Sequence, residues 1–275
     1  APDGGVEALA VPVSHFRWGL RYRISEALVT IDYDRIAENY DRHRCGSGPF
    51  VLVLMRLARS CQARRVLEIG PGTGNVTAAF LDDYPSALIG LEPSAGMLAK
   101  AKAKSLLAAW LRGSAAAIPL ATASVDFLFA CYVLHHIRDL DPVMRECARV
   151  LRPGGCAAFV TSSHDYIRRH PMNCYFPSFA PIDLERFHSE GEIRAALADA
   201  GFAGIRADRV SEPRPIDRAY ADRVAGRFIS TYDLIPESEF QEGVKRLYAD
   251  LETKGRLEDD TGWEGVPFDG AVKIA

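Results

Sequence analysis

Along the middle of this chain, apolar residues fall in short runs separated by longer stretches in which they recur every three or four positions. The runs at 66–70, 87–92, 110–113, 125–131 and 156–162 predict strands. Between them, helical spacing predicts helices over 74–84, over the Ala/Lys-rich 95–108, and over 141–151, which stops at "RPGG". Strand and helix in alternation argue a parallel sheet covered by helices on both faces. Another helix is expected over 189–200, with Ser189 and Glu192 at capping-box spacing at its start and Gly201 as its stop. A strand near 202–210 comes next.

The flanks look different. "IDYDRIAENYDRHR" and "PFVLVLMRLARSCQ" predict helices from about residue 32, so 1–65 is expected to be a helical cap on a core spanning 66–210. After the core, "RAYADRVAGRFISTYDLIPESEFQEGVKRLYADLETKGR" reads as two or three helices, an insertion over 211–265. The closing "VPFDGAVKIA" supplies a last strand at 271–275 within a 266–275 segment of the core.

One turn breaks the pattern. In "VLEIGPGTGNV", Glu68 is followed by glycines at 70, 72 and 74. Alternate glycines mark a backbone that must take angles a Cβ forbids, or come very close to a ligand. The dinucleotide fingerprint spaces its glycines G-x-G-x-x-G around a pyrophosphate. Here the spacing is G-x-G-x-G, and a carboxylate two residues before the turn would repel phosphate while suiting an ammonium or sulfonium group. Glu92, at the end of the next predicted strand, can accept two hydrogen bonds from a ribose diol.

Composition narrows the partners. The 275 residues are 48% hydrophobic and 25% charged, enough for a sizeable core, and the net charge of −3 gives no footprint for nucleic acid or an anionic membrane. The six cysteines form no CxxC pair, so they read as reduced thiols of a cytoplasmic protein. No apolar run reaches membrane-spanning length and no signal-peptide pattern is seen; the chain opens on Ala1, as a trimmed start would.

"VLEIGPGTGNVT", "LIGLEPSAGMLAKAK", "LRGSAAAIPLATASVDFLFACYVLHHI" and "VMRECARVLRPGG" occur in this order over roughly residues 33–210. Together they resemble the class I S-adenosylmethionine-dependent methyltransferases, and among them the small-molecule group that includes the ubiquinone and menaquinone biosynthesis enzymes. The resemblance implies an α/β, Rossmann-like, seven-stranded, mostly parallel sheet with helices on both faces. N-terminal helices and a helical insertion before the last strand complete it. That strand would run antiparallel between the fifth and sixth.

The resemblance also implies roles. Glu68, Gly70 and Gly72 would surround the methionine part of S-adenosyl-L-methionine, and Glu92 would hold its ribose. Pro93 and Met97 would pack near the adenine. Gly113, Ser114 and Ala115 match the segment at the adenine edge, with Ser114 where the family usually has Asp. Cys131 would offer its backbone carbonyl to the cofactor's amino group. Tyr33 and Tyr40 match an N-terminal helix that closes over the cofactor.

A methyl acceptor needs positioning, exclusion of water and a base for any acidic proton. His135 and His136 in "LHHI" follow the fourth strand, where ligands of open α/β sheets lie, although capping the next helix is a competing job. His170 sits in the segment after the fifth strand, whose aromatics Tyr166, Tyr175, Phe176 and Phe179 suit an apolar acceptor wall or plain packing. His170 and Cys174 alone do not make a metal site, and none is expected. The insertion would be a lid over the same opening or a homodimer surface.

The leading expectation is therefore a methyltransferase acting at O, N or C of a small, fairly apolar metabolite in specialised biosynthesis. The alternatives are an NAD-dependent oxidoreductase, disfavoured by the glycine spacing, and a catalytically silent binding module of the same fold. Nucleic-acid amino methylation is disfavoured because "ACYVLHH" stands where such enzymes carry [DN]-P-P-[YF].

Overall fold

The computed structural model describes residues 19–24, 27–33, 37, 41, 48–104, 107–212, 214–257 and 263–272. Strands β1 (Gly19–Ile24) and β2 (Ala27–Asp32) pair antiparallel as a hairpin. The helical cap expected over 1–65 is thus corrected at 19–32, where the chain forms a strand hairpin. "LRYRI" alternates apolar residues with arginines and "ALVTI" is rich in β-branched residues, both of which suit a strand. Helix α1 (Pro49–Ser60) follows, opened by Pro49 and burying Phe50, Val51, Leu54, Met55, Leu57 and Ala58.

The core alternates β3 (Arg65–Ile69), α2 (Asn75–Asp83), β4 (Ala87–Glu92), α3 (Ala95–Lys104), β5 (Ala109–Arg112), β6 (Val125–Cys131), α4 (Leu140–Val150) and β7 (Leu151–Thr161). Next come α5 (His164–Arg169), α6 (Phe179–Arg186), α7 (Glu190–Asp199), β8 (Phe202–Ala207) and β9 (Val210–Glu212). The helices α8 (Arg218–Ala225) and α9 (Glu237–Lys254) precede β10 (Trp263–Val272). The capping box of α7 forms in both directions between Ser189 and Glu192, and Gly201 has φ +92° just past the helix.

The main sheet runs β5-β4-β3-β6-β7-β10-β8, with β9 paired to the start of β10. Strands β3 to β7 are parallel, and β10 lies antiparallel between β7 and β8. The seven-stranded Rossmann-like arrangement is as expected. The last strand, however, starts at Trp263 rather than 266 or 271, and residues 273–275 lie outside the described residues. The glycine and proline of "EGVPF" disfavour a strand by propensity. Yet Pro267 falls where β8 has ended, its carbonyl still accepting from the Asp208 N–H at 3.3 Å.

Both faces of the sheet are covered, so successive strand residues are mostly apolar. Val66, Phe127, Phe129, Ala158 and Val160 pack with α1 and α2, while Leu67, Leu128, Ala130, Ala157 and Phe159 pack with α4 and α7. A third cluster joins Met172, Phe176 and Phe179 to Tyr232, Phe240 and Leu247 of the segment before β10. Strand order reverses between β3 and β6. The crevice beyond their carboxyl ends is where an open α/β sheet takes its ligand.

Candidate cofactor and acceptor site

The glycine turn leaves β3 at the middle of the sheet. Gly70, Gly72 and Gly74 have φ of +65°, +57° and +79°, the left-handed region that side chains with a Cβ avoid. A Cβ on Gly70 would come within 2.5 Å of Val133 Cγ2, so the turn lies directly on the loop after β6. Glycine is required here on both counts.

Two carboxylates frame this turn. Glu92, 6% exposed, accepts from the Gly72 N–H at 3.0 Å and the Ser94 N–H at 2.9 Å, one on each oxygen. Two backbone donors fix its plane, and each oxygen keeps a lone pair for a further hydroxyl. Glu68, 2% exposed, accepts from the Thr77 hydroxyl. Burial, with the nearby Glu92 charge adding to it, pushes the Glu68 carboxyl up to about 8 against the Thr77 hydrogen bond. Such a pair favours a positively charged neighbour.

The remaining expected cofactor residues line the same sheet end. Pro93 follows Glu92, and its carbonyl accepts from Arg112 Nε at 3.2 Å. Met97 is buried on the first turn of α3, its N–H donating to the Ser94 hydroxyl at 3.1 Å. The Gly113 N–H donates to the Glu92 carbonyl at 3.3 Å. Ser114 accepts from the Ala116 N–H at 3.2 Å, and Ala115 packs on the core. Cys131 ends β6; burial, then the Glu68 carboxylate, pushes its thiol well above the usual range.

Tyr33 comes from the amino-terminal region to this opening, where its hydroxyl meets His136 Nε2 at 2.9 Å. Tyr40 lies outside the described residues. Its neighbour Asp41 accepts from the Thr73 hydroxyl at 2.5 Å, Asn75 Nδ2 at 3.1 Å and Lys104 Nζ at 2.9 Å. Burial opposes ionisation of Asp41, but the Thr73 and Lys104 hydrogen bonds outweigh it and hold the carboxyl below its usual value. Asp41, Thr73, Thr77 and Lys104 escaped the sequence reading. Asp41 is adjacent to Tyr40, but its partners stand 32 to 63 positions away.

The histidines diverge. His135 is buried and stacked on Phe187 at 4.3 Å, with the tilted His136 ring centroid 3.8 Å away. His170 accepts from the Met172 N–H at 3.2 Å and stacks on Phe179 at 4.8 Å. Only His136 of the three shares a hydrogen bond with Tyr33 among those described. Behind this opening, Arg186 Nη1 donates to Asp183 at 3.1 Å and Nη2 to Ser230 at 2.9 Å, tying α6 to the insertion.

Residues 67–159 match the family model described as a methyltransferase domain. Residues 67–159 thus carry a methyltransferase domain. The domain is 33% identical over 155 residues to a protein of Mycolicibacterium smegmatis named a probable S-adenosylmethionine-dependent methyltransferase, covering 55% of this chain and 56% of that one. It is also 30% identical over 169 residues to the malonyl-[acyl-carrier protein] O-methyltransferase of Methylococcus capsulatus, at 58% of each. The match thus spans little more than half the length of these relatives. Among solved structures, a methyltransferase assigned to an antibiotic biosynthesis pathway of Anabaena variabilis superposes with TM-score 0.63 at 21% identity, covering 79% of this chain and 95% of that one. A Haemonchus contortus phosphoethanolamine N-methyltransferase holding S-adenosylhomocysteine superposes with TM-score 0.55 at 16% identity, covering 88% and 60%. The methyltransferase domain's cofactor is S-adenosylmethionine. The residues present suit it: a carboxylate pair for a cationic ligand with a diol, beside a turn that no Cβ could enter. No described helix is long and apolar enough to cross a membrane.

Proposed function

We propose that the protein transfers a methyl group from S-adenosylmethionine to a small, fairly apolar metabolite of specialised biosynthesis. The observation that carries this reading is the carboxylate frame, Glu68 under the glycine turn and Glu92 held by the Gly72 and Ser94 amides. Bound there, the cofactor supplies a methyl on a positively charged sulfur, so much of the activation precedes any action by the protein. Glu68, Gly70 and Gly72 would hold its methionine part, and Glu92 the ribose hydroxyls. Pro93, Met97, Gly113, Ser114 and Ala115 would bound the adenine, and the Cys131 carbonyl would accept from the amino group. Tyr33, with Asp41 latched to Thr73 and Lys104, would close the amino-terminal region over the site and exclude water.

His136 is the candidate base, because the Tyr33 hydroxyl sets its ring orientation at the mouth of the site. His135 and His170 are better read as packing groups, one stacked on Phe187 and the other on Phe179 while capping a turn. Phe176, Phe179 and Tyr232 of the third cluster form an apolar wall beside them, which suits an apolar acceptor. A carboxylate acceptor is the second reading, after the relatives named for malonyl-[acyl-carrier protein]. It is disfavoured because the buried Arg186 guanidinium is already committed to Asp183 and Ser230. A mass-spectrometric screen of metabolites for a gain of one methyl tests the reading. Turnover of an apolar hydroxy, amino or enol compound is expected, and turnover of acyl-carrier carboxylates alone would replace it.

A further inference from the structure

His136 stands between two residues that are held from one place. On its amino-terminal side, the His135 ring stacks on Phe187, with centroids 4.3 Å apart and planes 13° apart. On its carboxyl-terminal side, the Ile137 carbonyl accepts from His188 Nε2 at 2.7 Å, across 51 positions of the chain. A carbonyl has no proton to give, so His188 carries its proton on Nε2. Phe187 and His188, adjacent in sequence, thus grip both neighbours of the candidate base.

The grip is itself fixed. The Phe187 N–H donates to the Asp183 carbonyl at 2.8 Å, closing α6, and the Phe187 carbonyl accepts from His164 Nε2 at 2.7 Å. One residue beyond His188, the capping box of Ser189 and Glu192 starts α7. Phe187 is buried and His188 half-buried. Arg186, which immediately precedes the pair, is bonded to Ser230, so the grip is anchored on the wall made by α6 and the insertion.

The turn that it holds carries backbone strain. The chain leaves β6 through Tyr132, a bulky residue at φ +55° whose N–H donates to the Val160 carbonyl at 2.8 Å. Such a conformation persists only where surrounding contacts over-determine it. The turn's own backbone bonds are local, from the His136 N–H to the Val133 carbonyl at 2.8 Å and from the Ile137 N–H to the Leu134 carbonyl at 2.9 Å. Phe187 and His188 tie that turn to α6 and α7.

We propose that Phe187 and His188 are positioning residues for methyl transfer, fixing the turn Leu134–His136 so that the His136 ring meets the Tyr33 hydroxyl and the acceptor, a role that rests on His136 being the base. A base acts only within hydrogen-bond reach of the proton it takes, and misplacement by about 1 Å costs the rate ~10²-fold. Residues that hold the turn from outside therefore control the rate without touching cofactor or acceptor. Packing α7 on the core would by itself require neither an imidazole N–H at the Ile137 carbonyl nor a ring parallel to His135.

The test uses the full chain labelled with ¹⁵N-histidine, as wild type, His188→Ala and His188→Gln. Glutamine places an amide N–H close to where the imidazole Nε2–H stands, so it still donates to Ile137. Ring-nitrogen signals are read by NMR, those of His136 assigned through His136→Gln. His170, held by the Met172 N–H and by Phe179, is the internal reference. Expected in His188→Ala is movement of the His136 ring-nitrogen signals with those of His170 unchanged, and their return to wild-type positions in His188→Gln. With an acceptor from the metabolite screen, His188→Ala should lower kcat ~10- to 100-fold while the KM for S-adenosylmethionine stays within about twofold, and His188→Gln should recover most of the loss. Unmoved His136 signals in a His188→Ala protein that still melts cooperatively would overturn the proposal, as would equal effects of alanine and glutamine. Full turnover in His136→Gln is a separate result that would sink the base reading beneath it.

Discussion

Replacing Glu68 by glutamine should stabilise the ligand-free protein, and the gain should depend on pH. The side chain is buried, and its carboxyl stands at about 8 in the fold against an ordinary 4.5. A carboxyl raised in this way contributes fully to stability below its unfolded value and loses that contribution as pH climbs through the folded one. At ~1.4 kcal/mol per pKa unit, the cost of keeping Glu68 in the fold reaches about 3 kcal/mol at pH 7 and about 5 kcal/mol well above pH 8. At pH 5 it is below about 1 kcal/mol. The glutamine of Glu68→Gln would still accept from the Thr77 hydroxyl, and any penalty for burying its amide N–H groups, ~1–3 kcal/mol, is independent of pH. Urea unfolding of both proteins without ligand, at pH 5 and pH 8, isolates the titrating part. The glutamine variant should gain about 3.5 kcal/mol relative to wild type between those two pH values. A difference that does not change with pH would show that Glu68 is already ionised and compensated in the free protein, refuting the argument.

The same electrostatics predict that a cationic ligand expels the proton. Calorimetry at pH 7 in buffers of different ionisation enthalpy should find up to about one proton released per S-adenosylmethionine bound in wild type and none in Glu68→Gln. Gly70→Ala should destabilise by at least ~1–3 kcal/mol for its left-handed backbone alone, with the Val133 contact added. A second change, Val133→Ala, should return only the contact part in a thermal melt. Tyr33→Phe removes the hydroxyl bonded to His136, so it should lower kcat and shift the pH–rate profile once an acceptor is known; an unchanged profile would remove His136 as base.

What the sequence disclosed is what lies close along the chain. The glycine turn, Glu68 and Glu92 sit within one strand–turn–helix unit and at the end of the next strand, so local pattern and spacing were enough to place them. The alternating core and the antiparallel last strand followed from periodicity and from the family resemblance. The Asp41 latch did not, because its partners Thr73 and Lys104 meet it only through the fold. The hairpin at 19–32 was missed although "LRYRI" alternates, since the helical pattern from residue 32 dominated the reading of that region. His135 and His170 looked equal to His136 in sequence. Their stacking partners separate them, Phe187 from a distant segment for His135 and Phe179 from the next helix for His170.

The central claim is that the carboxylate frame and glycine turn hold a sulfonium nucleoside. Parallel calorimetric titration of the purified protein with S-adenosylmethionine, S-adenosylhomocysteine and NAD tests it most directly. The account predicts binding of the first two, none of NAD, and loss of both in Glu92→Ala protein that remains folded. Binding of NAD alone, or unchanged affinity in the folded Glu92→Ala variant, would contradict it.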